Sequence, residues 1–194
     1  MKLHALGGPM PVTPTYDPRK FRELLIYLAE QSRDDPRFGA VKLNKLMYYC
    51  DFIAYWRLGQ PITGATYQKL SEGPAPRELL SERAGLLDRG EINLETAPYF
   101  TYVQQRVAPA PDRTADISVF NQDELAIIHE VLQELRGLNG REVSERSHGE
   151  PGWLLSNDGE DIPYFTAWLS SEPLTAEEEE FGREVAQQLG LERG

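Results

Sequence analysis

Four residues near the middle of the chain have side chains that could take part in catalysis. Lys45, Asp51, Tyr67 and Arg77 would supply an acid, a base and a positive charge if they met in one pocket. That pocket would lie beside a helix predicted from Val41 to Leu58, and its ionisable groups would have perturbed pKa values. An unrecognised enzyme is therefore one interpretation that the sequence leaves open.

The other reactive residues form no recognisable catalytic set. His129 lies in the middle of a predicted helix, and His148 is two residues from Glu150 without a third ligand at metal-binding spacing. Cys50 lies among apolar residues, where a thiol is usually inert. No glycine-rich phosphate loop stands between a predicted strand and a helix. We therefore predict a non-enzymatic protein without catalytic residues, metal ligands or a cofactor.

An aromatic and basic group of residues is the better candidate for a site. Lys45, Tyr49 and Trp56 share one face of the predicted helix, and Tyr67 and Lys69 follow on the next strand. Such residues can pack in a core with the lysine stem buried, or they can form an interface in which Tyr and Trp supply most of the binding energy. The predicted partner-binding residues are Lys45, Tyr49, Trp56, Tyr67, Lys69 and Arg77.

The helix predicted at 41–58 should position these side chains from the centre of the fold. Apolar or aromatic residues cover nearly its whole circumference, whereas a surface helix has a single apolar stripe. Gly59 should end it, as glycine commonly does. Its polar residues Asn44, Lys45 and Asp51 will need partners in the interior.

Start signals and alternating patterns define the remaining elements. Asp17 followed by Pro18 predicts a helix to Ser32, and Asn121 with Glu124 predicts a capped helix to about residue 135. Further predicted helices cover 77–87, 141–147 and 176–189. Predicted strands cover 65–70, 92–94 and 99–107, the last two joined through Ala97-Pro98. The predicted fold is α+β: a mainly helical single domain around the buried central helix, with a small antiparallel sheet or hairpin.

The order of these elements also resembles a winged helix-turn-helix, which predicts a DNA-binding regulator as a further alternative. A DNA-reading helix should carry a basic stripe. The third predicted helix has two acids against one base after Arg77, and the wing offers only Arg106 and Arg113. Nucleic acid is therefore not the partner that we expect.

Composition sets the domain organisation and the compartment that we expect. The chain has 194 residues, of which 40% are hydrophobic, and a net charge of −11 that opposes phosphate binding. Residues 1–16 are predicted to be a flexible arm, 17–171 the domain, and 172–194, with seven Glu against two Arg, an acidic C-terminal helix. A single cysteine and no long apolar run predict a cytoplasmic protein without membrane contact.

Three consecutive motifs resemble the Panacea domain, an antitoxin family with phage-associated and proteolysis-adaptor relatives. They are KLNKLMYYCDF at 42–52, GQPITGATY at 59–67 and EGPAP at 72–76. The family pattern has a helix of the type KLxKLxYYxDF followed by a GxPITGxxY stretch and a Gly-Pro turn. The residues that carry the resemblance and are expected to support the scaffold are Asn44, Asp51, Gly64, Gly73 and Pro74.

The resemblance implies a protein that binds and neutralises a toxin encoded beside it. It also implies, for some members, delivery of the toxin to an ATP-dependent protease. In this reading Lys45, Trp56 and Lys69 contact the toxin, while Asp51 and Gly73 hold the scaffold. An acidic tail could shield a basic, nucleic-acid-directed toxin.

Overall fold

Two helices, α1 (Pro18–Gln31) and α2 (Ala40–Leu58), form the centre of the structure, a computed structural model. Asp17 caps α1 by accepting hydrogen bonds from the amides of Arg19 and Lys20, as its position before Pro18 predicts. α2 ends at Gly59, whose φ is +73°. Twelve of its 19 residues are buried, which confirms that α2 is the central helix.

Residues 2–3, 12–99, 102–170 and 180 are the part of the chain that the structure describes. The predicted acidic C-terminal helix thus lies outside the described residues, apart from Glu180. Most of the predicted N-terminal arm also lies outside them. Its last residues contact the domain, because the Val12 amide donates to the Gly59 carbonyl over 3.0 Å and the Tyr16 hydroxyl donates to Glu82 over 2.9 Å.

The remaining helices surround α2. They are α3 (Leu79–Asp88), α4 (Gln122–Leu135), α5 (Gly140–His148) and α6 (Pro151–Leu155). Asn121 and Glu124 form the predicted capping box at the start of α4. A second capping box, Asn139 with Glu142, begins α5 at Gly140, one residue before the predicted start. α2 contacts α1, α4, α5 and a 3₁₀ turn at Tyr164–Trp168.

The described strands form three two-stranded antiparallel pairs. β1 (Lys2–Leu3) pairs with β6 (Leu169–Ser170), β2 (Tyr67–Gln68) with β3 (Ala75–Pro76), and β4 (Ile92–Tyr99) with β5 (Tyr102–Pro109). Residues 159–162 add to the edge of β2, where the Ile162 amide donates to the Tyr67 carbonyl over 2.7 Å. The fold is therefore α+β and mainly helical, as predicted.

Two local predictions in this region were wrong. Ala97 and Pro98 do not join two strands but lie inside β4, opposite Gln104 and Val103. A proline lacks the amide donor, yet it is tolerated in a two-stranded hairpin because each strand has an edge without a partner strand. The third helix begins at Leu79 rather than at residue 77, because Pro76 pairs with Tyr67 in the short sheet.

The third helix and the two arginines of the predicted wing do not form the basic stripe that the winged-helix alternative requires. Within α3 the only base is Arg83, against Glu82 and Asp88. In the predicted wing, Arg106 donates to the carbonyls of residues 32 and 33, each over 3.0 Å, and Arg113 pairs with carboxylates of residues 23 and 91. These arginines hold the hairpin and the loop after it against α1.

Within the described chain, no helix combines the length and apolar character that a bilayer crossing requires.

Gly64 should tolerate no side chain, and the expected effect of substituting it can be measured. Its φ is +67°, and a Cβ there would lie 2.3 Å from the backbone oxygen of Thr15. Gly90 has the same φ with open space around it, so Gly90→Ala reports the conformational strain alone, about 1–2 kcal/mol. Gly64→Ala should lower the free energy of unfolding by at least about 1 kcal/mol more than Gly90→Ala, because the clash is with backbone. Urea titrations of the two variants measure this difference, and equal losses would contradict it.

Candidate functional site

Asp51 lies in the middle of α2 with no exposed surface, and its carboxylate is surrounded by donors. The amide and hydroxyl of Thr63 donate to it over 2.7 and 2.5 Å. The Tyr67 hydroxyl donates over 2.9 Å, and the Tyr164 hydroxyl is shared between the carboxylate, at 3.3 Å, and the Ala65 carbonyl, at 2.7 Å. The carboxylate thus joins α2 to the turn after it, to β2 and to the 3₁₀ turn.

Burial raises the pKa of Asp51, and the hydrogen bonds from Thr63, Tyr67 and Tyr164 oppose this rise. Burial also raises the pKa of both tyrosines well above the ordinary value, and the neighbouring Asp51 adds to the effect. The hydroxyls of Tyr67 and Tyr164 are thus both hydrogen-bonded to Asp51, and these hydrogen bonds join α2 to β2 and to the 3₁₀ turn. The space around Asp51 is filled by protein, so the enzyme interpretation gains no cleft at this residue.

Lys45 is also buried, with 1% of its surface exposed, one turn and a half before Asp51 on α2. Its ammonium donates to the Pro74 carbonyl over 3.1 Å. Burial lowers the pKa of Lys45 to about 8, while the charge of Glu72 opposes the shift. The side chain therefore holds the Gly-Pro turn onto the central helix.

Gly73 lets this turn approach Lys45. Its φ is +94°, and a Cβ at this position would lie 2.5 Å from Cε of Lys45 and 2.3 Å from the hydroxyl of Ser147. The Ser144 hydroxyl donates to the Glu72 carbonyl over 2.7 Å, so α5 holds the other side of the turn. Gly73 and Pro74 thus lie where α2, α5 and the β2–β3 connection meet.

The structure separates the six predicted partner-binding residues into two groups. Lys45 and Tyr67 are in the interior, each with 1% of its surface exposed. Lys69 donates to the Ser156 carbonyl over 3.0 Å, and its ammonium lies 3.9 Å from the centre of the Trp153 ring. Arg77 is exposed but binds the side chain of Asp161 over 2.6 Å and the Gly159 carbonyl over 2.6 Å. Lys45, Lys69 and Arg77 thus each bind a loop of the domain, and Tyr67 joins β2 to Asp51.

The remaining two predicted residues, Tyr49 and Trp56, line one groove beside α2. The groove has a volume of about 270 Å³ and is bounded by α2, α4, the stretch from Arg146 to Pro151, and residues 166–169. Tyr48 and Phe52 add aromatic surface to its floor. We call it the Tyr49–Trp56 groove.

Charged residues at the rim of the Tyr49–Trp56 groove come from helices far apart in the sequence. Arg57 forms two hydrogen bonds of 2.6 Å with Glu130 on α4. Arg146 on α5 pairs with Glu134 over 2.6 Å, and its guanidinium lies 5.5 Å from the centre of the Tyr49 ring. The rim thus contains two ion pairs, each partly exposed to solvent. Sequence reasoning missed these residues because nothing local relates α4 to α5.

The histidines of α4 and α5 contact aromatic residues, although the His148 Nε2 has no hydrogen-bond partner among the described atoms. The Tyr27 hydroxyl and the His129 Nε2 are 2.7 Å apart, and the His148 ring stacks on Trp153 with 4.1 Å between ring centres. Cys50 has no exposed surface, and burial raises the pKa of its thiol well above the ordinary value. In the described ranges, no three histidine, cysteine or carboxylate side chains converge as metal ligands would.

A larger cavity, of about 520 Å³, lies near the start of α2. Lys42 is buried there and donates to Asp35 over 2.6 Å and to the Leu138 carbonyl over 2.8 Å. Its ammonium is thus satisfied by the loop before α2 and by the loop before α5. This cavity contains none of the residues predicted to bind a partner.

Comparison with known proteins agrees with the three motifs and with this arrangement around α2. Residues 43–154 match the protein family described as antitoxin SocA-like, Panacea domain. The match covers more than half of the chain, and the chain belongs to this antitoxin family. Neither a curated protein nor a solved structure matches the chain significantly.

Removing the Asp51 carboxylate should destabilise the fold. Asp51→Ala leaves the hydroxyls of Thr63 and Tyr67 buried without their acceptor, which should lower the free energy of unfolding by about 1–3 kcal/mol. The exposed Asp158 is the control, and Asp158→Ala should change the value by less than about 0.5 kcal/mol. Urea unfolding monitored by circular dichroism compares the two variants. Equal stabilities would show that Asp51 does not hold these segments.

The lowered pKa of Lys45 makes stability depend on pH in the alkaline range. Between about pH 8 and the ordinary lysine pKa of 10.5, the unfolded chain binds more protons at Lys45 than the folded chain does. Raising the pH through this window therefore favours the fold. The wild-type protein should gain about 2–3 kcal/mol relative to Lys45→Met over the window, measured by urea unfolding at its two ends. A stability difference that stays constant with pH would contradict the buried ammonium.

Proposed function

We propose that this member of the antitoxin family neutralises a cognate toxin by direct binding, and that the Tyr49–Trp56 groove is the contact surface. The proposal gives residues 17–171 the binding role. It needs no catalytic step, no cofactor and no membrane, and places the protein in the cytoplasm with the toxin. What supports it is family membership together with an aromatic groove at the most buried helix of the fold.

Exposed aromatic and apolar residues on the elements that bound this groove support the proposal. Trp56 is 40% exposed at the edge of the groove. Leu154, Leu155 and Phe165 are more than half exposed, on α6 and on the 3₁₀ turn that packs against it. Large apolar side chains left in water on adjoining elements are typical of a protein-binding surface, and Trp is the residue type that most often dominates binding energy there.

Electrostatics support a basic toxin as the partner. The chain has a net charge of −11, and residues 172–194 carry seven Glu against two Arg. Opposite charges speed the encounter of two proteins and favour the correct partner.

Delivery of the bound toxin to an ATP-dependent protease is a second part of the proposal, and a shorter half-life of the toxin in the presence of this chain and the protease would support it.

Co-expression with the gene next to that of this chain tests the proposal. The neighbouring product should arrest growth when expressed alone, and this chain should restore growth and co-purify with the product. A neighbouring product that is harmless alone and does not co-purify would overturn the proposal.

Truncating Trp56 should weaken toxin binding without unfolding the protein. Trp56→Ala removes an aromatic residue from the edge of the groove, which should raise Kd by at least about ten-fold. Leu80 is the control because it is 69% exposed on α3, outside the groove, and Leu80→Ala should leave Kd unchanged. Calorimetry with the purified neighbouring product measures both. Equal affinities of the two variants would remove Trp56 from the contact surface.

A further inference from the structure

Glu150 is the carboxylate of the Tyr49–Trp56 groove that lacks a cation. Glu130 and Glu134 at the same rim are each paired with an arginine over 2.6 Å. Within the described residues, Glu150 forms no ion pair, although Arg146 is close enough for its charge to affect the carboxyl. Glu150 precedes α6, yet its side chain makes no capping hydrogen bond there. Neither secondary structure nor an internal ion pair therefore uses this carboxylate.

Tyr49 places a second unsatisfied group beside Glu150. The residue is only 7% exposed, and among the described atoms its hydroxyl forms no hydrogen bond of standard geometry, although it lies close enough to Glu150 to interact with that carboxyl. A buried hydroxyl without a partner is unfavourable, and native proteins keep few of them. The hydroxyl and the carboxyl both line the groove, and each affects the pKa of the other. Burial raises the pKa of both groups, and the charge of Arg146 opposes the rise at Glu150 and at Tyr49. Arg146 forms its ion pair with Glu134, so Glu150 is partly desolvated without a direct ion pair of its own.

Aromatic surface completes the chemistry of this groove. Tyr48, Phe52 and Trp56 line it together with Tyr49. Aromatic faces attract cations and also pack against the methylene stem of a lysine or an arginine. A carboxylate beside an aromatic wall is thus complementary to a long side chain that ends in a positive charge.

We propose that the groove binds a lysine or arginine side chain of the partner, with its charged end on Glu150 and the Tyr49 hydroxyl and its stem on Trp56. This inference rests on the proposed function, because it names the chemistry by which the toxin is recognised. The bound cation would give Glu150 its missing counter-charge and would leave the arginines of the rim in their own pairs. The volume of about 270 Å³ suits one such side chain rather than a folded element.

Two blocked peptides test the charge requirement directly. One is acetyl-Leu-Arg-Leu-amide, and the other contains citrulline, which has nearly the shape of arginine without its charge. Titration of the isotope-labelled full chain to about 10 mM peptide, followed by NMR, should give saturable shifts at Tyr49, Trp56 and Glu150 with the arginine peptide. The citrulline peptide should bind at least about ten-fold more weakly. Equal affinities, or no shifts in the groove with the arginine peptide, would overturn the inference.

Matched variants assign the binding to the two groups. Glu150→Gln should weaken arginine-peptide binding at least about ten-fold, while Glu145→Gln, an exposed carboxylate on α5 outside the groove, should leave it unchanged. Tyr49→Phe removes only the unpartnered hydroxyl, so it should weaken binding while leaving the unfolding midpoint in urea the same or higher. Unchanged binding in Glu150→Gln would overturn the inference.

The neighbouring gene product separates this inference from the proposed function. If the wild-type chain binds that product and Glu150→Gln binds it equally well, the antitoxin proposal stands and the cation site is wrong. If the chain binds the arginine peptide in the groove but does not bind the neighbouring product, the cation site stands and the proposed partner is wrong. Restored growth with wild-type chain and its loss with Glu150→Gln, but not with Glu145→Gln, would support both.

Discussion

The carboxylate of Asp51 has no contact with water, so its charge must be balanced by hydrogen-bond donors supplied by the chain itself. Thr63 supplies two of them, and the hydroxyls of Tyr67 and Tyr164 supply the others. Because these donors come from the turn after α2, from β2 and from the 3₁₀ turn, one buried charge fixes three segments that are far apart in the sequence. Tyr164 begins the 3₁₀ turn, and residues 166–169, at the end of this turn and just after it, form one edge of the Tyr49–Trp56 groove. The contact between Tyr164 and Asp51 therefore also fixes this edge of the groove.

Lys45 acts in the same way at the other side of the central helix. Its buried ammonium holds the Pro74 carbonyl, and Gly73 gives the turn the positive φ and the space that this contact needs. The two charged residues therefore do not meet as an acid and a base. Each is surrounded by backbone or hydroxyl groups of a separate loop, so that α2 organises the loops of the domain through polar contacts as well as through its apolar faces.

This use of α2 leaves one strip of the helix for recognition. Tyr49 and Trp56 lie on that strip, between ion pairs that join Arg57 and Arg146 to α4. A surface held by buried polar contacts loses little conformational freedom when a partner binds, which favours affinity. In the proposed recognition, Glu150, which has no ion pair among the described residues, would give this surface a chemical preference as well as a shape. The chain belongs to the antitoxin family, and the proposed toxin contact lies in this groove.

The sequence by itself determined the central helix, the caps at Asp17 and Asn121, the α+β class and the family, because these depend on periodicity, local hydrogen bonds and short motifs. It also predicted that Asp51 has buried partners, since a charge on a helix that is apolar all round must be satisfied in the interior. Only the tertiary structure decided what those partners are, that Lys45 and Tyr67 are interior, and that Glu150 faces Tyr49. The reason is physical. A helix period shows which side chains share a face, but burial and charge pairing depend on segments brought together through space, such as α5 and the turn before α6 against α2.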